Sequence, residues 1–487
     1  MSKVGEHKRL PDTLLEERSP KRKTAAIKSE TAEPKMVVKI EDDSDQDLDG
    51  TFIKQEEATG SEDDWLKKED DKSFLRNLRP GAVPGSDQSS HLKQNLLTLN
   101  LILQHYKLSS ELPKYEFTRK PKLKFRPPPC TVLELTNLDF RSPLDEQVEI
   151  EDLYFLHFAL SYCKKAVVIT GAGISVDSGI PDFRSSEGLF QGLASKTTGS
   201  GKNLFDYNVF RHPESIGKFE KMIEKLYHLS QESKPSPFHL MIDELSNQGR
   251  LLRLYTQNID CLDIELPHLK TEIPLTFDKN SNPKAVQLHG NVKLLNCSKC
   301  NYISELNQEY FKSRKFGESR LIRSCPACEE MNLVREIAGK RLQNSGILRP
   351  RIVLYNEFHP DGEIIGTITE KDLKSKPDCL IVTGTTLKIP GVRRLVKEMA
   401  KVVHSNKGYV IWMNIDEPPK NVIDYVDYFD LIVVGDCQMI PGLVKLYDHL
   451  YTDRNKVNQK IKVKSSKAKK STITFPAPVK VENNVES

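Results

Sequence analysis

Two sets of residues in this 487-residue chain have types and spacings suited to chemistry. Cys297-x-x-Cys300 and Cys325-x-x-Cys328 form two paired knuckles, separated by twenty-four residues. Four thiolates so spaced match a tetrahedral structural zinc site, which is closed and does no chemistry of its own. Two disulfides or four free thiols are the competing reading, which a reducing compartment disfavours. The other five cysteines, Cys130, Cys163, Cys261, Cys379 and Cys437, show no such pairing. The second set is a series of polar and glycine residues, each placed directly after a short apolar run. Gly171-Ala172-Gly173-Ile174-Ser175 is the first, and Thr256-Gln257-Asn258-Ile259-Asp260 the second. His289-Gly290, Gly384-Thr385-Thr386, Asn414-Ile415-Asp416 and Gly435-Asp436-Cys437 follow in turn. Together they hold a histidine, carboxylates, amides and hydroxyls, which suit proton transfer and the binding of a polar ligand.

The runs that position these groups lie at 166–170, 251–256, 285–289, 351–355, 378–384, 409–414 and 431–435. They are continuously apolar rather than alternating, as in strands buried on both faces of a parallel sheet. Helical patterns intervene, for example at 216–229 and 392–403. This β–α order predicts a doubly wound α/β fold. The polar residues then fall at the carboxyl ends of the strands, the edge where such sheets bind ligands. Gly171 and Gly173 let backbone approach a phosphate, as at a helix N-terminus. The dinucleotide pattern G-x-G-x-x-G is incomplete, because residue 176 is Val176, and a hydride-transferring dehydrogenase is disfavoured. Taken singly, the G-x-G reads equally as a tight turn, His289 as a structural histidine, and Asn258 with Asp260 as a turn.

Charge is segregated around this core. The chain has 72 Lys plus Arg and 68 Asp plus Glu, with 38% hydrophobic residues. Residues 41–71 hold fourteen acids against three lysines, and residues 454–470 hold eight basic residues and no acid. Such segments bury too little apolar surface to offset the entropy of ordering. Residues 1–90 and 451–487 are therefore expected to be disordered tails, and 142–450 the folded core, with a zinc module at about 290–335. Residues 91–141 read as an arm with one helix, because Leu92, Leu96, Leu99, Leu103 and Tyr106 share a helical face before Pro127, Pro128 and Pro129 interrupt it. No run of eighteen apolar residues occurs, which argues against a transmembrane helix and a membrane partner. The charged start MSKVGEHKRL argues against a secretory signal.

Gly171 to Arg184 (GAGISVDSGIPDFR), Thr256-Gln257-Asn258-Ile259-Asp260, His289-Gly290 and the four cysteines together resemble the sirtuins, NAD-dependent protein-lysine deacetylases. The resemblance covers 142–450 and looks most like the fungal nuclear branch that deacetylates a histone core lysine. It implies a Rossmann-like large domain and a smaller zinc-binding and helical domain, with NAD and acetyl-lysine meeting in the cleft between them. It implies that Gly171, Ala172, Gly173 and Ser175 line the pyrophosphate, and that Asp182, Phe183 and Arg184 sit on a cofactor loop. Thr256, Gln257, Asn258 and Ile259 then lie around the nicotinamide ribose, and Asp260 binds the carboxamide. Gly384, Thr385, Thr386, Asn414, Ile415, Asp416 and Cys437 face the adenosine half. His289 is the implied general base, and Asn258 the residue that positions the ribose. The implied products are free lysine, nicotinamide and O-acetyl-ADP-ribose.

Two positions depart from the family. Its substrate-pairing strand usually reads Phe-Gly-Glu, where this chain has Tyr355-Asn356-Glu357. Its facing loop usually reads Val-Pro-Val, where this chain has Ile389-Pro390-Gly391. Both bear on peptide and acyl preference. Lys21-Arg22-Lys23 and the lysines of 460–470 suggest nuclear import or DNA-backbone contact. Lys28, Lys39, Lys54, Lys67 and Lys480 sit in an apolar-Lys-x-Glu pattern suited to attachment of a small ubiquitin-like modifier. Val37-Val38-Lys39-Ile40, followed by acids, resembles a strand-adding motif for that modifier. Mono-ADP-ribosylation of protein and a non-catalytic chromatin scaffold stand as alternative functions.

Overall fold

A computed structural model describes residues 88–108, 121–182 except 141 and 143, 205–276, 282–312, and 323–451 except 427. The chain divides into two units, Met1–Met36 and Val37–Ser487, and every described residue belongs to the second. Phe183, Arg184, the basic clusters and the five pattern lysines lie outside the described residues.

Helix α1 (Gln88–His105) and strand β1 (Thr131–Glu134) come first, then α2 (Ile150–Tyr162), β2 (Ala166–Thr170), α3 (Pro213–Glu232), α4 (Pro237–Asn247), β3 (Leu251–Thr256) and β4 (Ala285–Gln287). Next come β5 (Gly290–Cys297), β6 (Ile303–Glu305), β7 (Arg323–Ser324), α5 (Pro326–Ile337) and β8 (Ile347–Ile352). The chain returns through α6 (Gly362–Lys374), β9 (Cys379–Thr383), α7 (Pro390–Ser405), β10 (Tyr409–Asn414), α8 (Lys420–Val426), β11 (Leu431–Val434) and α9 (Met439–Tyr451).

Seven strands form a sheet in the order β1-β11-β10-β9-β2-β3-β4, every pair parallel. Strands β2 and β9 bury every residue, because both sheet faces are covered. Alternation within β2 divides the two cores. Ala166 and Val168 join α1, α2, α4 and α9, whereas Val167 and Ile169 join α6, α7 and α8. From β2 the chain winds to β3 and β4; from β9 it winds the opposite way, to β10 and β11. The carboxyl ends of β2 and β9 therefore flank the point where winding reverses, and a crevice opens there.

A smaller antiparallel sheet has the order β6-β5-β8-β7. It shares a core with α3, through Phe219, Ile223 and Leu226 packed with Leu295, Leu348 and Ile352. Strand β5 starts only two residues after β4 ends, and Gly290 makes the turn possible. Its φ is +89°, and a Cβ there would lie 2.2 Å from the Arg351 carbonyl oxygen.

Two sequence expectations are corrected here. The run at 351–355 does not join the parallel sheet. It overlaps the end of β8, which pairs antiparallel with β5. Its continuous apolarity reports burial on both faces, and burial alone does not set strand direction. The arm at 91–141 also supplies more than a helix, since β1 pairs along the full length of β11 and closes the sheet edge. Four residues are too short a run to show a pattern. The expected helix is present as α1, whose Leu99 and Ile102 are buried in the main core.

Candidate active site

The four strand ends β2, β3, β9 and β10 are joined by side-chain hydrogen bonds. Gln257 Nε2 donates to the Thr170 carbonyl at 3.1 Å and to Thr385 Oγ1 at 2.9 Å. Asn414 Nδ2 donates to the Thr385 carbonyl at 2.8 Å. Backbone closes the same seam, with Gly171 N–H on the Thr383 carbonyl and Gly173 N–H on that of Gly384. Gly384 has φ +62°, and a Cβ on it would lie 2.7 Å from Ile174 N, so only glycine fits. Gly171, Gly173, Gln257, Gly384, Thr385 and Asn414 are thus one assembly.

Ser175, Asn258 and Asp260 form a second, buried group. Ser175 Oγ donates to Asp260 Oδ2 at 2.7 Å, and Asn258 Nδ2 donates to Ser175 Oγ at 3.1 Å. A hydroxyl has one proton, so these two bonds fix each other's direction. Asn258 must then turn its Oδ1 away, and that buried acceptor has no protein partner. His289 Nδ1 donates to the Gln257 carbonyl at 3.1 Å, since a carbonyl can only accept. This places the ring's lone pair on Nε2, which is also buried without a partner. Thr170 Oγ1 and Thr383 Oγ1, at neighbouring strand ends, are in the same position. Buried polar atoms are rarely left unpaired, so a cluster of them marks space for a ligand. Burial, with a lesser effect from His359, lowers the His289 pKa to about 4 and keeps the ring neutral.

Other expected residues contribute differently. Ile259 buries its side chain in the small-domain core, and Cys437 buries its thiol in the main core, leaving mainly backbone for a ligand. Thr386, Ile415 and Asp416 are exposed at the rim, and Ala172 and Asp182 are half-buried. Thr256 Oγ1 accepts from Asn258 N–H and shapes the loop from within.

Cys297, Cys300, Cys325 and Cys328 converge, with all four sulfurs within 4.8 Å of one another. Cys297 and Cys328 are 3.8 Å apart, and Cys300 and Cys325 3.6 Å. Four sulfurs bound to one ion at about 2.3 Å are separated by about 3.8 Å. Burial opposes ionisation of Cys297, but N–H groups of Cys300 and Lys299 point at its sulfur and bring its thiol down to about 7. The set fits a metal that binds thiolate.

Similarity to known proteins decides the family. The Sir2 family model matches residues 171–391. The chain is 46% identical over 371 residues to the NAD-dependent histone deacetylase HST4 of Saccharomyces cerevisiae, covering 75% of this chain and 98% of that one. The chain belongs to the Sir2 family. It is also 49% identical over 290 residues to the NAD-dependent protein deacetylase hst4 of Schizosaccharomyces pombe, spanning 59% of this chain and 68% of that one. With the NAD-dependent histone deacetylase HST3 of Candida albicans it shares 38% identity over 368 residues, 72% of this chain and 73% of the relative.

This sirtuin also has site-adjacent residues that the sequence reading missed. His239 and Ser236 form the capping box of α4, and His239 Nε2 lies 3.5 Å from Ser175 Oγ. Asp263 lies beside His239, at 3.8 Å. Gln438 accepts from Phe238 N–H and donates to the Ile174 carbonyl, which ties α9 to the first glycine loop. His359 Nε2 donates to the Gln287 carbonyl at 3.0 Å, two residues before His289. Only Asp263 left a sequence signal, as a third polar position in Asn258-Ile-Asp-Cys-Leu-Asp263. The others come from distant helices and loops.

Proposed function

We propose that this sirtuin is an NAD-dependent protein-lysine deacetylase acting on acetylated histones in the nucleus. The observation that carries the reading is His289. Its Nδ1 is fixed by the Gln257 carbonyl, and its neutral, unpartnered Nε2 sits at the strand-end cleft. A neutral imidazole so held can accept a proton, and one with a backbone-fixed tautomer does so in a defined direction.

Bound NAD supplies a ribose carbon whose bond to nicotinamide breaks, and an ADP-ribose that leaves carrying the acetyl group. Asn258, turned by Ser175, presents Oδ1 as an acceptor for a ribose hydroxyl. Asp260, a carboxylate acceptor backed by Ser175, is suited to the N–H of a carboxamide. His289 Nε2 takes the proton from a ribose hydroxyl. Gly171, Gly173 and Gly384 keep backbone close enough to line a pyrophosphate. Zinc is the metal best matched to four thiolates in this reading, and it holds the small sheet together without entering the chemistry.

Acetylated histone peptide and NAD, followed by mass spectrometry, test the reading. Free lysine, nicotinamide and O-acetyl-ADP-ribose should form in equal amounts. ADP-ribose transferred to protein would instead support the transferase alternative, and no turnover the scaffold alternative. Replacing Lys21, Arg22, Lys23 and the lysines of 460–470 by Gln should shift the protein from nucleus to cytosol. The same tails are the proposed place for DNA contact and for the ubiquitin-like modifier, on Lys28, Lys39, Lys54, Lys67 or Lys480.

A further inference from the structure

Behind the proposed carboxamide acceptor Asp260 lies a second buried carboxylate, Asp263, only 1% exposed. The two differ in one respect. Asp260 receives the Ser175 hydroxyl at 2.7 Å and the Leu262 N–H at 3.1 Å. Neither oxygen of Asp263 has a hydrogen-bond partner, and the Thr256 hydroxyl only partly offsets its burial. An ionised carboxylate buried without donors is costly, whereas donors stabilise the charged form. Asp263 thus places a second, poorly supported carboxylate beside Asp260, and its charge opposes ionisation of Asp260.

His239 completes the arrangement. It is fully buried, and its Nδ1 accepts from Ser236 N–H at 3.2 Å. Nδ1 is also 2.7 Å from Ser236 Oγ, and Nε2 lies 3.8 Å from Asp263 Oδ1 and 3.5 Å from Ser175 Oγ. The titratable groups acting on Asp260 are His239 from α4 and Asp263 from its own loop. The adjacent Cys261 thiol is pushed up to about 12 by burial and by Asp260, and stays neutral.

We infer that His239 and Asp263 are positioning residues that together set how readily Asp260 serves as an ionised acceptor, Asp263 opposing that charge as a neighbouring carboxylate and His239 favouring it. The inference rests on the deacetylase reading, in which Asp260 meets the nicotinamide carboxamide. Directions of titration agree with the geometry. Burial and the Asp263 charge raise the pKa of Asp260, and His239 lowers it. Burial takes Asp263 to about 6.

The test is the pH profile of exchange of labelled nicotinamide into NAD, in the full chain with an acetylated histone peptide. Asp263→Asn removes a like charge beside Asp260, so the acid limb should move to lower pH by about half a unit or more. Asp263→Glu keeps the charge and should keep the limb. His239→Gln removes the group that favours ionised Asp260, so the limb should move to higher pH. Opposite shifts in the two variants are not expected of residues that only support folding, and thermal unfolding checks that each variant is folded. If Asp263→Asn does not fold, His239→Gln alone decides. Unmoved acid limbs in the folded variants would overturn the inference. Absence of exchange in the wild-type protein would instead overturn the functional reading on which it rests.

Discussion

Strand β2 buries all five of its residues, whereas helix α5, next to the cysteines, buries none of its twelve. The parallel sheet is ordered by apolar packing from both faces. The small module has β5 and β8 packed against α3, but α5 leaves Met331, Leu333, Val334 and Ile337 exposed. A helix of this length is marginal without packing, so its order must come from the cysteines at its first turn. The proposed catalytic groups follow the same division. His289 and Asn258 stand on ends of packed strands, where neighbouring bonds determine which atom each turns to the cleft. The thiols instead determine the backbone around them.

The largest expected effect separates the two regions directly. Zinc removal, or Cys297→Ser, should unfold the small module, because binding free energy of about 10–16 kcal/mol is folding free energy in such sites. Proteolysis should then cut within 290–352 while fragments of the parallel sheet persist, and elemental analysis should find about one zinc per folded chain. Second, His289→Ala should lower deacetylation by about two to four powers of ten with NAD affinity largely retained. Asn258→Ala should also lower nicotinamide exchange, which precedes proton removal by His289; parallel assays of both reactions distinguish the variants.

Third, Leu156→Ala in α2 should cost about 2–5 kcal/mol in urea unfolding, the usual range for a buried leucine. Ile337→Ala in α5, at a residue 88% exposed, should change stability by no more than about 0.5 kcal/mol. Equal effects would break the comparison. The last effect is in pH dependence. Burial lowers the His359 pKa from its usual 6.5 or so to about 4. As pH falls through that window the unfolded chain takes up a proton that the folded chain refuses, so stability is lost. His359→Gln removes this term, and between pH 7 and 5 the variant should gain about 2 kcal/mol relative to wild type, read from urea midpoints.

Much of this was legible from short segments. The two Cys-x-x-Cys pairs point to a cluster of four thiols because their spacing is local. The runs at 166–170, 251–256 and 409–414 match strands residue for residue, since doubly buried strands need continuous apolar side chains. The loop residues 171–175 and 256–260 were legible because glycine and polar residues interrupt those runs abruptly. Strand β1 was missed because four residues carry little pattern. The direction of β8 was misread because its pairing depends on β5, more than fifty residues earlier in sequence.

The sequence by itself determined the family, the parallel sheet, the four clustered thiols and the set of polar residues at the strand ends. All of these depend on residue type and local spacing. Only the tertiary structure decided which atom each residue presents. Asn258 turns Oδ1 outward because Ser175, eighty-three positions away, has one proton and gives it to Asp260. His289 has its lone pair on Nε2 because the Gln257 carbonyl holds Nδ1. His239 and Asp263 matter because α4 packs behind β3 and brings a buried ring beside a buried carboxylate that only the Thr256 hydroxyl helps to ionise. Hydrogen-bond direction and burial are properties of neighbours in space, so no local pattern in the chain records them.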